Sequence, residues 1–201
     1  TAAVSIKRKW FTILSVVIVF LIGISRLYLG VHFPHDVLSG WVIGILLVWV
    51  YYLLEKPVLK WIAPKKLSTQ ILTAFLFSVI LIGLAFLSKA AVQNWSMPNE
   101  WIETALLTGG EEPDPFSLEG SITLAGVAFG FLSGFAWWIK RFGVTKIRGS
   151  LVKRFVRYFV GIIGVMIFYM GLKLIFPEDP LFLGYILRYV RYALIGVWVS
   201  A

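Results

Sequence analysis

The chain has 201 residues, of which 59% are hydrophobic and 14% charged, with a mean hydropathy of +0.87. Soluble domains carry about 45–50% apolar and about 25% charged residues, so these figures exclude an ordinary soluble fold and point to an integral membrane protein. The net charge of +9, the absence of cysteine and the presence of only two histidines narrow the chemistry further. Lys and Arg fall in short loops between apolar runs rather than on one soluble face, which argues against nucleic acid as a partner. Disulfides and Cys-based metal sites are excluded, no metal site is expected from two histidines, and no cofactor is implied.

In chain order, TAAVSI reads as the last turns of a helix cut short by Lys7, Arg8 and Lys9. Six apolar runs follow, about Trp10 to Leu29, Val37 to Leu54, Leu67 to Leu87, Ser121 to Ile139, Tyr158 to Phe176 and Leu181 to Val199. Each approaches the roughly 20 residues that span a bilayer. They are continuous rather than alternating, which predicts helices and not barrel strands. The expected fold is all-α: a polytopic transmembrane bundle of six spanning helices, preceded by the end of another.

Orientation follows from the loops. Lys7 to Lys9, Lys56 to Lys66 and Lys140 to Arg157 hold most of the cations and fall on one side of the predicted alternation, while nearly all the acids fall on the other. By the positive-inside rule the basic side is cytoplasmic. The stretch Ser25 to Asp36 is then expected at the outer face of the cell membrane.

Between Ser88 and Gly120, Pro98 and NEWIETALL predict a short amphipathic helix at the outer interface, either a lid or a connector resting on headgroups. The turn-rich, acidic GGEEPDPFSLEG then marks an expected boundary near residue 115, dividing the chain into 1–115 and a three-helix extension over 116–201. In that extension Gly126, Gly130 and Gly134 recur every four residues, a smooth strip for close helix packing. Arg188 and Arg191 lie three apart in the last run and need partners; Glu119, Asp179, lipid headgroups or a bound anion would each serve.

The candidate site is SRLYLGVHFPHDVLSG, Ser25 to Gly40, which sets an Arg, two His and an Asp between two uncharged apolar runs. Ionisable groups are costly near hydrocarbon and commonly mark function. Pro34 suits a first helical turn, and the spacing of four lets His32 and Asp36 share one helix face. A carboxylate bonded to one imidazole nitrogen leaves the other nucleophilic, and Arg26 offers a planar fork of donors to an oxyanion. A plainer reading also fits: Arg26 snorkelling to headgroups beside two solvated histidines.

The pattern SRxxxxxHxxxD, with Tyr28, Gly30, Val31, Pro34 and Gly40 around it, resembles the third signature motif of the type 2 phosphatidic acid phosphatase superfamily. These are membrane lipid phosphate phosphatases that share an active site with vanadium haloperoxidases. The resemblance covers residues 1 to about 54, and the last three helices resemble an extension found on some bacterial members. It implies His32 as the nucleophile forming a phosphohistidine, Asp36 as its orienting partner, and Arg26 with Ser25 as phosphate-binding residues, while His35 is spare. It also implies a metal-independent hydrolase acting at the outer face on a lipid phosphate or pyrophosphate, with undecaprenyl pyrophosphate and phosphatidylglycerol phosphate as candidate substrates. The family's KxxxxxxRP and PSGH motifs do not occur in these residues, so the sequence is expected to begin partway down the helix that would carry PSGH. Two alternatives stay open: a lipid-linked phosphotransferase on the same scaffold, and a non-catalytic membrane protein.

Overall fold

The structure is a computed structural model, and it describes residues 9–30, 33–107, 114–143, 150–175 and 182–200. Among these residues there is no strand, and six helices are long and apolar enough to cross a membrane. They are α1 (Lys9–Tyr28), α2 (Pro34–Ile62), α3 (Leu67–Ala91), α5 (Glu119–Phe142), α6 (Leu151–Ile175) and α7 (Phe182–Ser200). The short α4 (Asn99–Leu107) lies between α3 and α5. The all-α, six-span architecture read from the sequence is the one observed, and the chain is a multi-pass membrane protein. Residues 1–8, where the stub of a preceding helix was expected, lie outside the described residues, as do His32, residues 108–113, and Glu178 and Asp179.

Two helices run beyond the apolar stretches that predicted them. Helix α2 continues to Ile62 through Pro57, although an interior proline loses one backbone hydrogen bond and crowds the carbonyl four residues earlier. Helix α6 begins at Leu151, taking Lys153, Arg154 and Arg157 into its first turns. Long basic side chains lay their methylene stems along apolar surface while the charge reaches for water, so a helix can extend past its hydrocarbon-matched segment.

By packing, the chain divides into a unit of residues 1–64 and a unit of residues 65–201. The first is a pair of helices that bury little against each other: Gly23 is the buried residue of α1, and none in α2 is buried. Their outward faces are apolar all round, as suits helices whose solvent is lipid. The second unit is built on α5 and α7. Ile122, Ala125, Gly126, Gly130, Ser133 and Gly134 are buried on α5, and Arg191, Ala193, Ile195 and Gly196 on α7. A side chain at Gly130 would run into the backbone of Ala193, and one at Gly196 into the backbone of Val127 and Phe131. The predicted glycine strip is therefore the surface on which α7 lies. Lipid offers no hydrophobic drive between helices, so backbones that approach closely gain the dispersion and weak hydrogen bonding that hold them.

Helices α3 and α6 attach to that pair. Phe75 of α3 meets Phe129 of α5 edge-on at 5.7 Å, and the fully buried Ser78 hydroxyl shares a 2.7 Å hydrogen bond with the Tyr189 hydroxyl of α7. Thus α3, which lies upstream of the division expected near residue 115, packs with helices downstream of it. On α6, the Trp198 indole N–H donates to the Gly161 carbonyl at 3.0 Å, and the indole ring covers Gly164.

Replacing Gly130 with Val should destabilise the C-terminal unit by about 1–3 kcal/mol, since the obstruction is backbone and α7 must move away. Gly83→Ala, where added atoms meet nothing, should change stability by less than about 0.5 kcal/mol. Unfolding of both variants in detergent checks the pair, and equal stability would contradict the packing described.

Candidate active site

Helix α1 ends where its sequence says it should. Gly30 takes φ 67, the left-handed conformation glycine adopts without strain, and its N–H donates to the Leu27 carbonyl at 3.0 Å. The last turn therefore presents Ser25 and Arg26 at the helix terminus. Helix α2 begins with Phe33 as its cap residue and Pro34 at its first position. The Asp36 carboxylate accepts the Phe33 N–H at 3.0 Å, which satisfies one of the backbone donors that every helix start leaves unpaired. It also places a negative charge in the first turn, where the helix dipole favours one.

Arg26 and Asp36, one from each helix, line the same open groove of ≈ 330 Å³ with Gly23, Val37, Gly40 and Trp41. Trp41 is held by stacking on Phe20 at 5.7 Å and by Gly23, whose missing side chain leaves room for the indole. Arg26 and Asp36 thus both border one groove whose surface is almost wholly apolar, and the Asp36 carboxylate is engaged by the Phe33 N–H and by His35.

The sequence singled out four residues, and the structure brings two of them together. Ser25 is not among the groove-lining residues, and its hydroxyl donates to the Ile22 carbonyl of its own helix at 2.7 Å. Its proton is committed to the backbone and would have to be released before it could serve a phosphate. His32 lies outside the described residues. His35, set aside as spare, makes a contact the sequence did not predict: its Nε2 sits 3.2 Å from Asp36 Oδ1, while its ring stacks on Phe33 at 5.6 Å with 11° between planes. The imidazole is 79% exposed, so water competes for the charge and the pair is worth little on its own. Gly23 and Trp41 went unnoticed as site residues. Their signal was a glycine one turn before Arg26 and a tryptophan one turn after Val37. Among the described residues, no group of three or more His, Cys, Asp or Glu could hold a metal ion.

With this geometry in view, relatives supply a class. Residues 1–59 match the model of the PAP2 superfamily, and residues 122–201 match that of the PAP2 superfamily phosphatase transmembrane extension. Together the two segments that are similar to this superfamily take in more than half of the chain. Among individual relatives, it is 42% identical over 45 residues to an undecaprenyl-diphosphatase of Sulfolobus acidocaldarius, an overlap covering 22% of this chain and 20% of the relative. It is 55% identical over 40 residues to phosphatidylglycerophosphatase B of Bacillus subtilis, covering 20% of each. The chain therefore spans about a fifth of the length of the curated relatives it matches. No solved structure matches it.

Removing the Asp36 carboxylate should loosen the start of α2. Asp36→Ala is expected to cost about 1 kcal/mol of capping energy and to speed amide exchange at the first turn about fivefold. Asp36→Asn keeps an acceptor oxygen and should exchange at close to the native rate. Peptide-resolved hydrogen exchange in detergent separates the two, and fast exchange in both would show that the cap depends on charge.

Proposed function

We propose that the chain is part of a membrane lipid phosphate phosphatase, acting at the outer face of the membrane through the groove between α1 and α2. The observation that carries this reading is the placement of Arg26 and Asp36 on one groove inside the segment matched to the PAP2 superfamily. The matches to residues 1–59 and 122–201 support a functional division into a catalytic part within 1–115 and a membrane extension over 116–201.

In the proposed reaction Arg26 binds the phosphate, assisted by Ser25 once its hydroxyl turns from Ile22. His32 attacks phosphorus in line, forming an N–P bond as the P–O bond to the lipid breaks. The leaving oxygen takes its proton from the acid that the family's second motif supplies, which these residues do not contain. Asp36 holds the imidazole by one nitrogen and balances the charge it acquires. Water then attacks the phosphohistidine, freeing phosphate and restoring His32, with no metal in either step. The substrates named for the two relatives, undecaprenyl diphosphate and phosphatidylglycerophosphate, carry a phosphate at the same headgroup depth and are the proposed candidates. An outward-facing groove is supported by the cations of the Lys7 to Lys9 and Lys56 to Lys66 clusters, which the positive-inside rule puts on the cytoplasmic side.

The test is phosphate release from both lipids by the full-length protein in detergent with EDTA present. His32→Ala should lower turnover by at least about a thousandfold, and Arg26→Ala should weaken substrate use by about 10- to 100-fold, the loss of a charged hydrogen-bond pair. His35→Ala should cost less than about tenfold, since its contact with Asp36 is exposed. A folded protein releasing phosphate from neither lipid would defeat the hydrolase reading. Activity surviving His32→Ala but lost in His35→Ala would instead transfer the nucleophile to His35.

A further inference from the structure

The second arginine of α7 is in an unusual position. Arg191 is 4% exposed, it lies at the middle of a membrane-spanning helix, and its Nε is buried with no hydrogen-bond acceptor among the described residues. Its guanidinium carbon lies 5.7 Å from the ring centroid of Tyr169 and 5.2 Å from that of Tyr192. Those rings attract the charge through their faces, but they leave the buried Nε–H without an oxygen partner. Tyr169 itself lies in the π-helical turn Ile167–Gly171 that interrupts α6, and such turns recur at functional sites.

Charge counting sharpens the picture. Arg188, three residues earlier on roughly the same face, is paired with Glu119 of α5 at 2.6 Å. Among the described residues, this part of the unit thus holds two guanidiniums and one carboxylate in contact with them, leaving one positive charge over. A buried, uncompensated cation is expensive in hydrocarbon, and a neutral side chain of similar volume would pack there at lower cost. The arginine makes sense if something supplies a single negative charge with two oxygens in one plane, which is what a guanidinium edge receives best.

We propose that Arg191 is the centre of a second anion site, within the α5–α6–α7 cluster, that takes the phosphodiester group of a membrane phospholipid. A phosphodiester carries one charge, which matches the excess, and the bilayer supplies it continuously. Arg191 stands roughly 13 Å along α7 from Phe182, and Arg188 lies about one turn nearer that end. The site does not depend on the phosphatase chemistry, and its ligand is a resident lipid rather than a substrate.

The full-length protein, purified in a neutral detergent, is titrated with dioctanoyl phosphatidylglycerol while its unfolding temperature is followed. Dioctanoylglycerol, with the same chains and no phosphate, and inorganic phosphate are run in parallel. The phospholipid should raise the unfolding temperature saturably and dioctanoylglycerol should not; a further rise with inorganic phosphate would place the same oxyanion site within reach of water. Arg191→Met should fold and bind the phospholipid at least about tenfold more weakly, the loss of a charge-assisted hydrogen bond. Arg191→Lys, which keeps the charge but loses the planar fork, should also bind more weakly. Equal shifts from phospholipid and dioctanoylglycerol overturn the proposal, as does native affinity in Arg191→Met. Should the Met variant not fold, native affinity in Arg191→Lys overturns it instead.

Discussion

Where Gly130 meets Ala193 and Gly196 meets Phe131, the backbones of α5 and α7 touch with no side chain between them, and the rest of the C-terminal unit is arranged on that contact. In water such a seam would be a poor use of surface, because it buries few methyl groups. In lipid the comparison changes: solvent and side chain are equally apolar, so only closeness distinguishes a neighbouring helix from an acyl chain. Glycine provides the closeness. Once α7 is seated, Tyr189 is brought to Ser78 of α3 and Trp198 to Gly161 of α6, each giving a polar group the partner that hydrocarbon withholds.

The N-terminal unit solves a different problem with the same glycine device. Gly23 does not bring two backbones together; it admits the Trp41 ring, and the indole becomes one wall of the groove on which Arg26 and Asp36 converge. Charge is placed there by helix ends. Arg26 sits at the terminus of α1, where a cation complements the helix dipole, and Asp36 sits in the first turn of α2, where an anion does. Each charged residue therefore stabilises its own helix while bordering the groove. Structure and proposed chemistry make the same demand of these two positions.

How much of this was legible in the sequence depended on whether the signal was local. The six spans were, because a long uncharged run has one comfortable environment. That Arg26 and Asp36 lie near neighbouring helix ends was also legible, since Pro34 marks a helix start just after the first apolar run ends. The contact between His35 and Asp36 was not, because it depends on side-chain rotamers in an exposed turn. The attachment of α3 to the C-terminal helices was hidden for another reason: a helix apolar on every face does not advertise which face it buries. Nor did the residues around Tyr169 announce a π-helical turn, so the surroundings of Arg191 had no counterpart in the pattern.

The pairing of Arg188 with Glu119 has a bearing on how the protein is made. Helix α7 is the least apolar of the six spans and carries both arginines, and each arginine near a helix centre costs about 2.5–3.5 kcal/mol on partition into a bilayer. Entering alone, α7 would meet that cost unrelieved. Beside α5 it finds a carboxylate for one arginine and a glycine track for its backbone, so the earlier helix serves the later one as a chaperone built into the same chain. The seam between α5 and α7 is thus also where part of the cost of placing α7 in a bilayer is met.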